Sequence, residues 1–328
     1  MGRTVLNGKA ECWVLSDGKP GMSNQCIGLA EALGIAFVVK TIRPRLPWRL
    51  LAPPLWFSPF SALGPDSDDL SPPWPKLLIA TGRQTVALSL AIKRASSGKT
   101  FTVQIQNPAY ALSRFNLVVA PRHDEISGAN VLVTEGALHR VTAERLASEA
   151  ARFRPLLDDL ARPIVAVLVG GPNGQYQFTR EAAGRLADGL RNLSRRHGAG
   201  LAITTSRRTG KENERQLRET LDMADAYFWD GTGDNPYFGL LGLCDAIVVT
   251  SDSVSMVSEA CATGKPVYVF DLDGGSKKFS RFHGNFRRRD FTRPFTGELE
   301  TWSYEPLDDT GRVAHEVRRR MGQSVTGD

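Results

Sequence analysis

Short, almost wholly apolar segments alternate with helical segments along this chain, and that alternation limits the possible folds more than any other feature. The segments that predict β-strands lie at 12–16, 37–42, 77–80, 101–106, 117–120, 131–134, 164–169, 201–205, 226–229, 246–249 and 267–270. Helical patterns lie between them at 24–33, 86–95, 144–160, 180–196 and 237–243. Strands that are apolar on both faces and joined by helices are typical of parallel sheets covered on both sides. The sequence therefore predicts an α/β fold with two Rossmann-like domains that face a cleft.

The length of 328 residues fits two domains of roughly 150 residues each. A break at 158–163 separates the two sets of strands, so we expect domains at 1–160 and 161–300. The remaining residues, 301–328, predict a helix that packs back on the first domain. In such sheets ligands bind beyond the carboxyl ends of the strands, so we expect a ligand in the cleft between the domains.

The composition, with 41% hydrophobic and 23% charged residues, is that of a soluble globular protein. The four cysteines stand singly without a CxxC pair, which predicts buried reduced thiols in a cytoplasmic protein rather than disulfides or a zinc site. No secretory signal opens the sequence, and no apolar run reaches transmembrane length. The net charge of +6 favours anionic partners such as nucleotides or acidic lipid headgroups. Groove-reading motifs are lacking, so a nucleic-acid partner is not expected.

The segment from Thr250 to Val269 is the most informative single motif, because it reads as strand, polar turn, helix, Gly-Lys-Pro stop and strand. Asp252 or Ser253 can cap the helix, whose start then presents backbone N–H groups and hydroxyls suited to a phosphate. Glu259 lies about one and a half turns further in, where its carboxylate could hold two sugar hydroxyls. The alternative is an ordinary βαβ unit whose serines solvate a loop.

Polar or basic turns follow nearly every predicted strand. The candidate ligand-binding residues in the first half are Gly18, Gly21, Asn24, Gln25, Gly82, Arg83, Gln106 and Asn107. Those in the second half are Gly170, Gly171, Asn173, Ser206, Arg207, Arg208, Asn235, Ser251, Asp252, Ser253, Ser255 and Glu259. Turns are enriched in such residues in general. Their concentration at one end of both presumed sheets nevertheless favours a large polar ligand.

Five motifs stand out along the chain: Trp13-Val-Leu-Ser-Asp-Gly-Lys-Pro-Gly21, Gly171-Pro-Asn-Gly174, Ser206-Arg-Arg-Thr209, Asn235-Pro-Tyr237 and Ser251-Asp-Ser-Val-Ser-Met-Val-Ser-Glu259. Together they resemble those of the mitochondrial fission "elongated mitochondria" family, which includes bacterial members and plant proteins involved in mitochondrial division. The resemblance runs from about residue 12 to residue 294 and implies a GT-B-like architecture. More distantly, Val257-Ser-Glu259 with Gly264-Lys-Pro266 looks like the donor-binding helix of the GT-B transferase that adds GlcNAc to the lipid-linked peptidoglycan precursor. The corresponding glutamate there holds the ribose of the nucleotide sugar.

In a GT-B protein the second domain would bind a nucleoside-diphosphate sugar as co-substrate, with no other cofactor. Gly170 and Gly171 would let the backbone approach the diphosphate, and Arg207 and Arg208 would neutralise it. A solvated turn is the alternative for one of the two arginines. Helix dipoles and arginines can stabilise a departing diphosphate, so no metal is expected, and 271–273 is interpreted as structural.

An acceptor would need a general base from the first domain. Two catalytic candidates follow predicted strands of that domain: Asp17 after the first, and His123, beside Asp124, after the fifth. A histidine in such a place has a suitable ordinary pKa.

Two segments bear on partners. Residues 44–60 are rich in proline and aromatics, and Trp48, Trp56 and Phe57 beside Arg45 and Arg49 suit an anionic membrane interface. A proline-broken excursion packed on the first domain is the alternative. The densest basic cluster, 277–289, suits phosphate contact, membrane attraction or a solvated linker.

Three functions remain open on the sequence alone. The leading hypothesis is a metal-independent GT-B-type glycosyltransferase that acts on an envelope or lipid-linked acceptor, peripheral on the inner face of the cytoplasmic membrane. A nucleotide-sugar epimerase on the same fold is the second. The third is a non-catalytic, membrane-associated interaction protein of the fission type.

Overall fold

The computed structural model describes residues 11–221 and 226–325, and their contacts divide them into two compact units. Unit 1 contains the described residues up to Arg140 together with those from Asp308 onward. Unit 2 runs from Val141 to Leu307.

Unit 1 is built on a parallel sheet whose strands run in the order β2-β1-β3-β4-β5-β6 within the described residues. Helices α1 and α9 lie on one side of the core, where Leu29 and Val313 are fully buried together. Helix α2 packs on other strand faces through Leu88 and Ile92. The elements are β1 (Cys12–Ser16), α1 (Pro20–Leu33), β2 (Phe37–Thr41), β3 (Leu77–Thr81), α2 (Arg83–Ala95), β4 (Phe101–Ile105), β5 (Leu117–Pro121), β6 (Val131–Thr134) and α9 (Asp309–Val325).

Unit 2 is built on a second parallel sheet, in the order β10-β9-β7-β11-β12-β14 within the described residues, beside a small antiparallel ribbon of β8 and β13. When the six strands of this sheet are numbered from one to six along the chain, their order is 3-2-1-4-5-6, as in Rossmann folds. The strands are β7 (Ile164–Val169), β8 (Tyr176–Gln177), β9 (Gly200–Thr205), β10 (Ala226–Phe228), β11 (Ala246–Thr250), β12 (Val267–Phe270), β13 (Asp273–Gly274) and β14 (Arg293–Pro294). The helices are α3 (Ala143–Phe153), α4 (Arg180–His197), α5 (Lys211–Thr220), α6 (Tyr237–Leu243), α7 (Val254–Cys261) and α8 (Lys277–Arg288).

The α/β prediction with two Rossmann-like sheets is confirmed, and the differences are local. The helix expected at 144–160 ends at Phe153, because Pro155 follows and cannot donate a helical hydrogen bond. Helix α5 lacks an apolar stripe, with Leu217 as its one buried residue, so periodicity does not reveal it. Helix α8 occupies the basic segment for which a linker was one interpretation.

The compact units divide the chain at 140 and 307, whereas the sequence suggests 160 and 300. The physical reason at the first boundary is that Phe153 and Leu157 pack with Leu240 in the core of unit 2. At the second, Val313 and Val317 of α9 are buried in the core of unit 1.

The cysteines, the metal-ligand residue types and the apolar helices were each the subject of a prediction from the sequence. The four cysteines are free and buried, and burial raises the pKa of each thiol. Within residues 11–221 and 226–325, no group of three or more His, Cys, Asp or Glu side chains could hold a metal ion. Among the helices of the same residues, none is both long and apolar enough to cross a membrane.

Candidate functional site

The strand order of unit 2 reverses between β7 and β11, and their following loops meet at the carboxyl edge of the sheet. Such a switch point is where open α/β sheets bind ligands. The Gly170 N–H donates to Thr250 Oγ1 at 2.8 Å, and the Gly171 N–H donates to Asp252 Oδ2 at 3.1 Å. A Cβ on Gly170 would overlap the Asp252 carboxylate. The Asp252 side chain therefore accounts for a glycine at 170, whether or not a ligand also approaches this backbone.

Asp252 is the centre of a buried polar network that joins three strand ends. Its carboxylate accepts from Arg208 Nη2 at 2.7 Å and from the Thr250 hydroxyl at 2.7 Å, and its side chain is fully buried. Arg208 Nη1 donates to the carbonyl oxygens of Gly171, at 2.8 Å, and Pro172, at 3.1 Å. Both side chains are thus engaged within the protein, and Asp252 holds the loops in place.

Arg207 differs from its neighbour. Its side chain is exposed, and it forms no hydrogen bond or ion pair in the part of the chain that the structure describes. Ser206 closes the turn that carries both arginines, because its hydroxyl accepts the Arg208 N–H at 3.2 Å. Of the two predicted diphosphate-binding arginines, Arg207 is the available one.

Helix α7 begins directly after the switch point. The Ser253 hydroxyl accepts the Met256 N–H at 3.3 Å and so caps the helix. The N–H groups of Val254 and Ser255 have no partner inside a helix by its geometry, and the first turn carries no acidic residue. Asn173 supports the same edge, since its Nδ2 donates to the Asp252 carbonyl at 3.1 Å. The arrangement favours an anion at this helix start.

Glu259 is buried in α7, and its Oε2 accepts the Tyr237 hydroxyl at 2.5 Å. The pKa of Tyr237 is raised well above its ordinary value, first by burial and then by the Glu259 charge. Asn235 shapes the start of α6, because its Oδ1 accepts the Tyr237 N–H at 3.0 Å. The Asn-Pro-Tyr motif therefore positions the tyrosine that contacts Glu259, a role that the sequence alone does not reveal.

Ser251 is hydrogen-bonded to two residues that the sequence analysis did not connect with it. Its carbonyl accepts from His283 Nε2 at 2.8 Å, and its hydroxyl accepts the Leu272 N–H at 3.0 Å. His283 is buried on α8, and burial is the main cause of its lowered pKa. The basic segment 277–289 thus contributes a neutral buried histidine beneath the switch point.

The switch point of unit 1 lies between β1 and β3. Asp17 follows β1 and forms an ion pair with Lys19 at 2.6 Å, next to Gly18. A Cβ on Gly82 would lie 3.1 Å from the Met22 methyl, and Gln106 Nε2 donates to Met22 Sδ at 3.4 Å.

The other candidates of unit 1 are positioned less directly. Gln25 is buried and its Nε2 donates to the Gly21 carbonyl, one helical turn earlier, at 3.3 Å, while the preceding residue, Asn24, is half-buried. Arg83 is exposed and donates to the Arg49 carbonyl at 3.3 Å. Asn107 closes a turn, since its Oδ1 accepts the Ala109 N–H at 2.8 Å.

His123 is buried rather than at the surface. Its Nε2 lies 3.9 Å from Asp124 Oδ1, and both side chains are at most 5% exposed. Asp124 Oδ2 also accepts the Asn107 N–H at 3.3 Å. The Asp17 side chain is also largely covered, at 9% exposed, but its ion-pair partner Lys19 is exposed.

Comparison with known proteins identifies both a family and a fold. The family model described as "Mitochondrial fission ELM1" matches residues 20–321. The "Mitochondrial fission protein ELM1" of Arabidopsis thaliana is 36% identical over 75% of this chain, which corresponds to 64% of the plant protein. The chain therefore spans less than two thirds of that relative's length. "Uncharacterized protein RP120" of Rickettsia prowazekii (strain Madrid E) is 26% identical over 93% of this chain and 97% of that protein.

Solved structures share the fold at low identity. The UDP-GlcNAc 2-epimerase of Methanocaldococcus jannaschii has a TM-score of 0.54 and 11% identity, over 95% of this chain and 99% of that chain. The S. aureus MnaA-UDP co-structure has a TM-score of 0.53 and 12% identity, over 96% and 97%. The Neisseria meningitidis UDP-GlcNAc 2-epimerase bound to UDP-GlcNAc has a TM-score of 0.50 and 14% identity, over 95% and 99%. These likenesses confirm the predicted GT-B-like fold.

Proposed function

The chain belongs to the mitochondrial fission ELM1 family, and from this premise we propose that it binds a nucleoside-diphosphate sugar at the carboxyl edge of the unit 2 sheet. The proposed activity is that of a GT-B-type glycosyltransferase that works without a metal ion. An envelope or lipid-linked molecule is the proposed acceptor, with Asp17 as the favoured base.

One observation carries the proposal: the start of α7 lies at the switch point beside an arginine that has no partner in the described chain. The capped helix offers the N–H groups of Val254 and Ser255, and Arg207 offers an exposed positive charge on the neighbouring loop. A diphosphate matches this combination, because helix starts and guanidinium groups both favour phosphate oxygens. Asp252 does not oppose it, since its charge is already balanced by Arg208.

Glu259 supports the nucleoside part of the ligand. A carboxylate has about four lone-pair directions, so Glu259 can accept from a ribose hydroxyl as well as from Tyr237. The Tyr237 hydroxyl also fixes the orientation of the carboxylate. The Neisseria epimerase was solved with UDP-GlcNAc bound and the S. aureus protein with UDP, which agrees with the proposed ligand class.

An epimerase is the second candidate, because the structures with the similar fold include UDP-GlcNAc 2-epimerases. Epimerisation needs carboxylates that are free to exchange protons in the sugar site. The carboxylates after β11 and β12 are instead paired with arginines: Asp252 with Arg208 at 2.7 Å, Asp271 with Arg287 at 2.9 Å and Asp273 with Arg185 at 3.0 Å. We therefore favour binding and transfer over epimerisation.

The proposal is tested by thermal shift with UDP, GDP, ADP and CMP and their sugar conjugates. A bound nucleotide at 100 times its Kd stabilises the folded state by about 2.7 kcal/mol. Arg207→Gln should weaken binding by roughly tenfold or more, as expected for a charge-assisted hydrogen bond of about 1.5–3 kcal/mol.

The matched control is Arg195→Gln, which removes another exposed arginine, on helix α4. It should leave the affinity unchanged. If no nucleotide raises the Tm of the wild type, the donor site does not exist and a non-catalytic interaction protein becomes the better explanation.

A further inference from the structure

The exposed large apolar side chains of this protein are concentrated in one segment. Within the described residues seven are exposed, and five of these lie between residues 46 and 60. The five are Leu46, Leu50, Leu55, Phe57 and Phe60, of which Leu50 is 73% exposed and Phe57 64%. We call residues 44–63 the apolar platform. It follows β2 at the carboxyl edge of the unit 1 sheet.

The inner side of the apolar platform is firmly packed. Trp56 is buried in the core of unit 1, and its indole N–H donates to the Leu51 carbonyl at 3.3 Å. The Trp48 indole N–H donates to the Phe57 carbonyl at 2.9 Å. The two tryptophans therefore fix the segment, so the assignment of Trp56 to a membrane-facing role is wrong. The exposed apolar side chains of this segment include Leu46, Leu50 and Leu55 instead.

A turn draws residues 45–50 together, since the Arg49 N–H donates to the Arg45 carbonyl at 3.1 Å and the Leu50 N–H donates to the Pro47 carbonyl at 3.0 Å. The exposed Leu46 and Leu50 therefore lie on the same short turn as the exposed Arg45 and Arg49. The Phe57 ring lies 5.0 Å from the Trp48 ring, which brings it to the same turn.

Positive charge surrounds these apolar groups. Arg43, Arg45, Arg49 and Arg83 are exposed, and none forms an ion pair in the described part of the chain. Of the three aspartates that follow the platform, Asp68 accepts the Thr41 N–H at 2.6 Å and Asp69 accepts the Ser71 hydroxyl, while Asp66 is exposed. The four arginines outnumber these three carboxylates.

We propose that the apolar platform docks unit 1 on the surface of an anionic lipid bilayer. The leucines and Phe57 enter the interface while the four arginines contact lipid phosphates. A second copy of the chain fits less well, because it would bring eight unpaired guanidinium groups together. This proposal is independent of nucleotide binding by unit 2.

The test is co-sedimentation of the full chain with vesicles of equimolar phosphatidylcholine and phosphatidylglycerol, compared with phosphatidylcholine alone. The wild type should bind the anionic vesicles, and added salt should weaken binding through screening. Leu46→Ser/Leu50→Ser/Phe57→Ser should reduce the affinity by more than about tenfold, given the transfer free energy of such side chains. Its Tm should be unchanged, because all three side chains are exposed.

Two matched control variants, one for the leucines and one for the arginines, make the test specific. Leu156→Ser removes an exposed leucine of unit 2, 48% exposed, and should bind like the wild type. Arg43→Gln/Arg49→Gln should reduce the affinity for anionic vesicles by about fivefold per arginine, whereas Arg180→Gln/Arg195→Gln on α4 should not.

Two results would overturn the proposal. One is a wild type that stays in the supernatant with anionic vesicles at low salt. The other is a dimer, seen by sedimentation equilibrium, that the triple serine variant converts to monomer. The platform would then be an interface between copies of the chain.

Discussion

The carboxyl edges of the two sheets use polar residues in different ways. In unit 2 the edge is joined by Asp252, whose buried carboxylate connects Arg208, Thr250 and the Gly171 backbone. In unit 1 the corresponding loop carries Asp17, whose side chain is 9% exposed and accepts from the backbone N–H and the ammonium group of Lys19, two residues away in the same loop. A pair whose cation is exposed contributes little to stability, whereas a buried charge that loses several partners costs several kcal/mol. The comparison teaches that the unit 2 carboxylate joins separate loops to one another, whereas the unit 1 carboxylate binds within its own loop.

The largest expected effect is the loss of stability when one of these two carboxylates, that of Asp252, is removed. Asp252→Ala should lower the free energy of unfolding by about 3 kcal/mol, because a buried donor set loses its acceptor. The value is at the low end for a buried pair, since Arg208 is 42% exposed and can be hydrated. Asp17→Ala should cost less, about 1 kcal/mol, because the lysine that it leaves without a partner is 72% exposed and can be hydrated. Urea unfolding measures both, and equal losses would contradict the contrast between the two edges.

The next effect probes the close packing around the same carboxylate. Gly170→Ala places a methyl group into the Asp252 side chain, and overpacking of this kind costs about 1–3 kcal/mol. Gly174→Ala is the control on the same loop, because a Cβ there meets nothing within 4 Å. The two variants should differ clearly in Tm. A Gly170→Ala variant with the Tm of the wild type would mean that the loop after β7 shifts easily and that Asp252 does not hold it in place.

A smaller effect concerns the proposed ribose contact. Glu259→Gln should weaken binding of a ribonucleoside diphosphate by about 1.5 kcal/mol, the lower value for a hydrogen bond to a charged group. Binding of the 2′-deoxy analogue should weaken less, as isothermal titration calorimetry can measure. Equal losses for both ligands would show that Glu259 does not contact the 2′-hydroxyl. Tyr237→Phe should reduce the same discrimination, since it removes the hydrogen bond that orients the carboxylate.

The smallest effect is a dependence of stability on pH. Burial lowers the pKa of His283, while Asp252 and Asp271 raise it and Arg287 lowers it. The unfolded chain then binds a proton at a higher pH than the folded chain does. Stability is therefore full above the ordinary pKa of about 6.5 and declines as pH falls through the lowered folded value.

Substitution of His283 by glutamine should flatten this part of the curve. His315→Gln, at an exposed position of α9, serves as the control. Unfolding free energies at several pH values between 7.5 and about 5 measure both variants. If the free energy of unfolding of the His283 variant still fell with decreasing pH as steeply as that of the wild type, another group would be responsible for the loss of stability in acid.

The sheets were predictable because each strand carries its own signal. The run from Ile164 to Val169 is apolar throughout and can only be a buried segment, and its helix neighbours follow from periodicity. Helix α5 was not predictable in this way, because a helix with one buried residue has almost no periodic pattern of apolar residues. Tertiary contacts, rather than local preference, decide such elements.

The candidate site was predictable as a set of loops but not as a network. The Thr250 segment and the glycines after β7 were identified, yet the sequence does not show that Asp252 joins them or that Arg208 is engaged by it. Likewise, Tyr237 lies 22 residues before Glu259, and His283 lies 32 residues after Ser251. Pairings across such distances depend on the fold and leave no local pattern.

Helix α9 has a consequence for the order in which the protein is made. Its residues Val313, Ala314 and Val317 complete a core whose other members come from the first 140 residues. Since synthesis proceeds from the amino end, that core stays open until the segment 309–325 has left the ribosome. Unit 2, an uninterrupted stretch of chain, is complete before then. The unit that is started first is therefore finished last, and nascent unit 1 is the stage at which a chaperone would have apolar surface to hold.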